Sequence, residues 1–446
     1  MTTTWIKDPL AILAEGAARG IVVQGGRIVE LVPAGATPAT PVTATFDASR
    51  HVVLPGLVNA HHHFYQTLTR AFPPALNRTL FGWLTTLYPV WSRLTPENHR
   101  LATRLALVEL LLSGCTTASD HHYVYPAGLE EAVDIQVEEA AALGIRVVLT
   151  RGAMSLSVED GGLPPASVVQ KDDAILADFA RVVTRHHQRG DGAMTQVALA
   201  PCSPFSVTRQ LMRDAAAMAD AEDLRLHTHL AETHDEDAFC EARFGCRPLD
   251  YLEECGWLGP RTWLAHGIHF QDAEIARLAA ARTGICHCPS SNMILASGIA
   301  RMPELEAAGA IVGLGVDGAA SQDCSNLMQE VRQAFLLQRV AYGAERVSHL
   351  DALRWGTAGA AACLGRDDIG TIAAGRCADL ALFTLDEPRF SGHGDPIAAL
   401  VICGAHRADR VMVNGRWVVE DGAIPGLDLP ALLHAHHAAA RRMQAG

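Results

Sequence analysis

The stretch "HVVLPGLVNAHHHFYQTLTR", residues 51–70, runs from an apolar segment directly into three consecutive histidines. The apolar half has the β-branched density of a buried strand. Alternate residues of a strand share a face, so His61 and His63 point one way and His62 the other. Two imidazoles presented together at the end of a strand raise the question of what the chain's other strands end in.

Working outward, short apolar strands alternate with longer helical patterns. Strands are predicted at 53–60, 115–120, 144–150, 196–200, 224–229, 261–265, 284–288 and 311–316. Segments such as "PENHRLATRLALVELLLSG" and "LEEAVDIQVEEAAALG" lie between them, with apolar residues at i, i+3 and i+4 and a closing glycine. Eight strand–helix units over roughly 265 residues match a (β/α)8 barrel. A doubly wound open sheet is the rival, but no GxGxxG follows the first strand. In a barrel, functional groups sit at the C-terminal strand ends. Here those ends carry His61–His63, Asp120-His121-His122, Cys202, His229 followed by Glu232, His266, His287 and Asp317.

Both flanks read differently. Residues 20–55 and 367–423 are short strands with tight turns, among them the Gly-Gly of "VQGGRI" and the Asn-Gly of "VNGRWVV". The expected organisation is a small β-sandwich built from residues 1–55 and 367–446, enclosing a barrel of residues 56–366.

Composition narrows the function classes. A formal net charge of −13 without any Lys/Arg-rich run argues against nucleic acid or an anionic membrane as partner. The N-terminus lacks a basic region followed by an apolar one, and no run approaches the ~20 apolar residues of a membrane span. Eleven cysteines without a CxxC frame read as reduced thiols of a cytoplasmic protein. Twenty-one histidines are the informative excess.

Two inward imidazoles from the first strand, one from another strand and a carboxylate make an N/O ligand set with an open position, the pattern of catalytic zinc or iron. His227 and His229 share a face, and His229 lies nearer the barrel mouth, which makes it the ligand of the two. Glu232, three residues on, can stand beside the metal as a proton shuttle; the plain alternative is a first-turn helix glutamate. His434, His436 and His437 fall in an Ala-rich helical segment and read as surface, and His186-His187 as a helix end. His269 either lines the site or caps a loop. Barrel hydrolases with two metals bridge them through a modified lysine on strand four. Here that strand has none and Lys171 precedes a helix, so one divalent metal ion is expected. The HxE…PCxxC zinc deaminase pattern is not assembled either, since "PCSPF" lacks its second cysteine. Gln66 offers an amide toward a lactam edge, and Trp83 is either a stacking face or core.

The motifs "LPGLVNAHHH", "HLAET", "LAHG", "CPSSN", "GVDGAAS" and "GTIAAGRCADLALF" together resemble the metal-dependent amidohydrolase superfamily. Within it they are similar to the branch of aminohydrolases that deaminate purines, pterins and triazines, over nearly the whole chain. The resemblance implies a distorted (β/α)8 barrel with a terminal β-sandwich. It implies His61, His63, His229 and Asp317 as ligands of one ion, zinc or iron, and Glu232 and His266 as the proton-transfer pair. Asp317 would also accept the proton of the attacking water. The further stretches "LFGWLTTLYPVWSRLT", "DHHYVYP" and "RGAMSLSVEDGGLPP" point within that branch to an oxidised purine base, 8-oxoguanine giving urate and ammonia. Guanine, isoguanine or a triazine losing chloride or an amine are the alternatives. Relatives that act on adenosine-type nucleosides carry histidine where this chain has Cys202, so Cys202 joins Gln66 and Trp83 as expected substrate contacts. Gln322 and Cys324 depart from the Asn and Ser of the family pattern, which leaves the adjoining loop open. A non-enzymatic scaffold would lack ligands that are all present here. A homo-oligomer is expected.

Overall fold

The computed structural model describes every residue except Met1, Asp323 and Gly446. Eight parallel strands follow one another in chain order: β1 (Leu57–Asn59), β2 (Cys115–His122), β3 (Arg146–Ala153), β4 (Thr195–Pro201), β5 (Arg225–Leu230), β6 (Thr262–His266), β7 (Gly284–His287) and β8 (Ile311–Leu314). Helices between them cover the outer face. They bury aliphatic side chains such as Leu107, Leu110, Leu211 and Val331 against strand residues such as Val147, Leu199, Leu226 and Leu314. Each fully buried aliphatic contributes about 1.5–3 kcal/mol of transfer free energy.

The seam between β1 and β8 closes in two steps. The Ala60 N–H donates to the Leu314 carbonyl at 3.0 Å. Beyond it a two-residue ladder pairs Asp317 with His62 and Gly318 with His63. Closure of the barrel therefore delivers Asp317 to the histidine triplet. This distorted (β/α)8 barrel is the architecture expected from the strand–helix alternation.

The stretch predicted as one strand, 53–60, is in fact two. His51–Pro55 pairs with Leu380–Thr384 in a five-stranded sheet, whereas Leu57–Asn59 enters the barrel. Gly56 separates them, and a Cβ there would lie 2.1 Å from Thr116 Oγ1. A continuous apolar pattern cannot reveal a change of sheet, because both halves are buried on both faces. The five-stranded sheet packs on a four-stranded one that includes Thr3–Lys7 and Gly20–Gln24. Ile6, Ile21, Val23 and Ile28 meet Val53, Leu380, Leu382 and Met412 between them. A buried bidentate pair, Arg146 to Asp379 at 3.1 and 3.2 Å, ties β3 to this small sandwich.

The C-terminal helix Leu429–Ala445 leaves the sheets and packs on the barrel helix Pro96–Leu112 and on the turn Phe64–Thr69. The reading of His434, His436 and His437 as surface needs correction for one of the three. His434 and His437 are exposed, but His436 is buried and its Nε2 lies 3.1 Å from Thr67 Oγ1. Helical spacing does diverge as expected; the sequence simply does not say that one face meets the barrel. None of the described cysteines is in a disulfide, and no described helix is long and apolar enough to cross a membrane.

Candidate active site

Three imidazoles and one carboxylate converge where the barrel closes. His61 Nε2 and His63 Nε2 lie 3.3 and 3.2 Å from the same oxygen, Asp317 Oδ1. His229, at the end of β5, brings its Nε2 to 3.2 Å from His63 Nε2. Hydrogen bonds on the far side of each ring fix the tautomers. His63 Nδ1–H donates to the His121 carbonyl at 2.7 Å, and His229 Nδ1–H to the Cys202 carbonyl at 2.7 Å. His227 Nδ1–H donates to the Trp263 carbonyl at 2.9 Å, which leaves its Nε2 to accept from His61 Nδ1–H at 2.8 Å. All three Nε2 atoms are thus bare lone pairs facing one another and a carboxylate, and buried His61 Nε2 makes no hydrogen bond. Such an all-acceptor cluster is stable only around a cation, and N/O donors with oriented rings fit a divalent transition metal.

Neighbouring histidines have other duties. His62 faces away, its Nε2 2.9 Å from Ser325 Oγ, and burial pushes it down to about 3. A ligand-capable nitrogen of His121 comes within 4.8 Å of those of His61 and His229, yet His121 Nε2 is engaged by the Ala200 carbonyl at 2.9 Å. Its ring stacks on His229 at 4.7 Å and supports the cluster from below. His122 turns outward onto His99, 4.5 Å between ring centres. His287 is buried and without a hydrogen bond, near Asn292 and His266. His269 Nε2–H reaches the Ser297 carbonyl at 2.9 Å and so props the loop that carries Ser297.

Acid and base are separated by environment. Glu232 lies on the loop after β5, before the helix His234–Phe244 begins, so the first-turn positions belong to Asp235, Glu236 and Asp237 instead. Ser297 Oγ donates to Glu232 Oε1 at 3.2 Å, and His266 Nε2 lies 3.4 Å from Oε2. Burial, aided by the Asp317 charge, holds the Glu232 carboxyl well above the carboxylate range. Asp317 faces the same bare imidazole nitrogens at 3.3 and 3.2 Å, and the cation that this cluster requires would hold it ionised. Two carboxyls in one cleft, one raised by burial and one set among imidazoles, can divide acid and base duties. His266 is kept neutral, pushed down to about 4 by burial, with the Asn292 side chain 3.0 Å from its Nδ1. Ala231, His266 and Asp317 all have left-handed backbone (φ 54°, 73° and 65°), strain concentrated at the residues that must be aimed.

Above this floor lies a cavity that Gln66, Trp83 and Cys202 all line. Ala320 clamps two of them: its N–H donates to Gln66 Oε1 at 3.3 Å, and its carbonyl accepts from Trp83 Nε1–H at 3.2 Å. A Cβ on Gly318 would lie 1.9 Å from Gln66 Oε1, so only glycine admits that amide. Burial pushes the Cys202 thiol up to about 12, which rules it out as a nucleophile. Its carbonyl, as the anchor of His229, is the part that touches the imidazole cluster. Helix Leu80–Trp91 supplies the far wall through Leu80, Trp83, Leu84 and Tyr88. In the loop that departs from the family pattern, Gln322 Oε1 accepts from the Cys324 N–H at 2.7 Å, while Ser321 lines the cavity.

Four residues of the site, His227, Asn292, Ser297 and Tyr88, take roles that only the fold reveals. His227 was visible as the partner of His229 in "LHTHL", and Asn292 as the end of "CPSSN". Ser297 carried no signal, since a serine 65 residues from Glu232 is found only by folding.

The chain is similar to known proteins along nearly its whole length. A model of the Amidohydrolase family matches residues 52–418. The chain is 64% identical, over all of both chains, to an 8-oxoguanine deaminase from Pseudomonas aeruginosa. It is 36% identical to a hydroxydechloroatrazine ethylaminohydrolase from Pseudomonas sp. (strain ADP), covering 95% of this chain and 91% of that one. Among solved structures it resembles an atrazine chlorohydrolase from Arthrobacter aurescens TC1 complexed with zinc, at a TM-score of 0.92 and 31% identity over 99% of this chain and 100% of that one.

Proposed function

The chain belongs to the amidohydrolase family, and from that premise we propose that it is a metal-dependent aminohydrolase converting 8-oxoguanine and water to urate and ammonia. The observation that carries the reading is the buried Glu232, bonded by Ser297 and 3.4 Å from His266, in one cleft with Asp317 and three ring-anchored imidazoles. The full-length likeness to an 8-oxoguanine deaminase supports the choice of base.

His61, His63, His229 and Asp317 would hold the ion, zinc by the precedent of the zinc-complexed relative, and such an ion supplies the Lewis acidity that makes a water acidic near pH ~7. Asp317, ionised, takes the proton of that water. His266, neutral and held by Asn292, orients it between Asp317 and Glu232. Oxygen attacks the amine-bearing ring carbon while Glu232 delivers its proton to the adjacent ring nitrogen. The proton held by Asp317 then passes to the amine and the C–N bond breaks; as ammonia leaves, the remaining hydroxyl proton goes to Glu232, so the carbonyl forms and the acid is restored. Gln66 and Trp83 hold the base in place, an amide against its lactam edge and an indole against its face. The buried walls exclude bulk water from competing proton transfers.

The test is ammonia release from a panel of purines and triazines, with and without a chelator. Ammonia from 8-oxoguanine that stops with chelator and returns with zinc supports the reading. The likeness to an atrazine chlorohydrolase favours one competing reaction, and chloride or alkylamine release from a triazine in place of ammonia would select it.

A further inference from the structure

Among the described residues lining the cavity, two buried side-chain donors have no hydrogen-bond partner: Gln66 Nε2 and Tyr88 Oη. Tyr65 Oη lies near the Gln66 amide without either group completing a bond. Tyr88 stands near Tyr65 and Cys202, yet its hydroxyl bonds to neither. It is 1% exposed, on the helix Leu80–Trp91, and edge-on to Trp91 with 5.9 Å between ring centres. Leaving a buried hydroxyl unpaired costs about 1–3 kcal/mol, so an orphan on a cavity wall marks where a ligand completes it. Burial holds the phenol well above its ordinary value, so it remains a neutral donor at any working pH.

We propose that Tyr88 selects the substrate by donating a hydrogen bond to the oxo group of the five-membered ring. This rests on the deaminase reading above. In a purine whose 2-amine sits at Glu232 and Asp317, the atom farthest from the reaction is the C8 oxygen. 8-Oxoguanine has two carbonyl acceptors, at C6 and C8, and the cavity has two unpaired donors, Gln66 and Tyr88. Guanine has only C–H at position 8 and offers Tyr88 no oxygen there. A site built to hydrogen-bond a group discriminates strongly against the analogue that lacks it. Neither Trp83, whose N–H is held by Ala320, nor Cys202, a weak thiol donor beside the Ser203 and Ser206 hydroxyls, offers an equivalent free donor.

The experiment compares wild type with Tyr88→Phe on 8-oxoguanine and on guanine, guanine being measured as substrate and as competitive inhibitor. Tyr88→Phe keeps the ring and its packing. The expected result is a fall in kcat/KM of roughly 10- to 100-fold on 8-oxoguanine and less than about threefold on guanine, with unchanged metal content. An equal loss on both bases would make Tyr88 merely structural and overturn the proposal. Wild type supplies a second check that needs no variant, because 8-oxoguanine must be preferred over guanine by at least about tenfold. Turnover of both bases without preference overturns the role of Tyr88 alone. No ammonia from either base removes the deaminase reading itself.

Discussion

The floor and the far wall of the cavity are built on opposite principles. On the floor nearly every polar atom has a partner that dictates its state: His61 through His227, His63 through the His121 carbonyl, His229 through the Cys202 carbonyl, Glu232 through Ser297, His266 through Asn292. The wall formed by Leu80, Trp83, Leu84 and Tyr88 is mostly apolar and holds a donor in reserve. A floor so constrained sets a reaction, whereas a wall with unsatisfied groups sets which molecule undergoes it. The contrast fits relatives that include both an 8-oxoguanine deaminase and an ethylaminohydrolase acting on a triazine.

Substitutions on the floor should therefore be severe and indifferent to substrate. Glu232→Gln keeps the shape and removes the proton, and kcat should fall by about 10²–10⁴-fold for every base tested, with metal content unchanged by elemental analysis. A fully active variant would mean that Glu232 is not the shuttle. One layer down, His227→Ala frees the Nδ1 of His61, and metal affinity should drop about 10- to 100-fold in a chelator competition while the fold is retained. Wall substitutions should be milder and selective. Trp83→Leu removes the ring face and should raise KM by about tenfold with little change in kcat, an effect of about 1.4 kcal/mol.

The smallest effect is one of stability. His99, His266 and His436 are each pushed down to about 4 by burial, from 6.5. A base whose folded pKa is depressed stabilises the fold above its unfolded pKa and loses that contribution as pH falls. The melting temperature of metal-free protein should therefore decline between pH 6.5 and about 4, and His436→Gln should flatten the decline. Equal pH dependence in that variant would remove His436 from the account.

How much of this was legible beforehand follows the range of each interaction. Period-2 alternation separated His61 and His63 from His62, and strand–helix alternation indicated a barrel whose strand ends carry histidine and carboxylate. Both depend on neighbours a few residues apart. The break at Gly56 was hidden because the two sheets it joins are equally apolar. The burial of His436 depended on which surface its helix meets. The anchors were out of reach for the same reason, since His61 and His227 are 166 residues apart, Glu232 and Ser297 are 65, and His266 and Asn292 are 26. Histidines can be read from a strand end, but what aims them is a property of the closed barrel.

The central claim is most directly tested by product stoichiometry with purified, zinc-loaded protein and 8-oxoguanine. The account predicts one ammonia and one urate for each base consumed, abolished by chelator and by Glu232→Gln. Metal-loaded protein that leaves 8-oxoguanine intact, or consumes it without releasing ammonia, would contradict it.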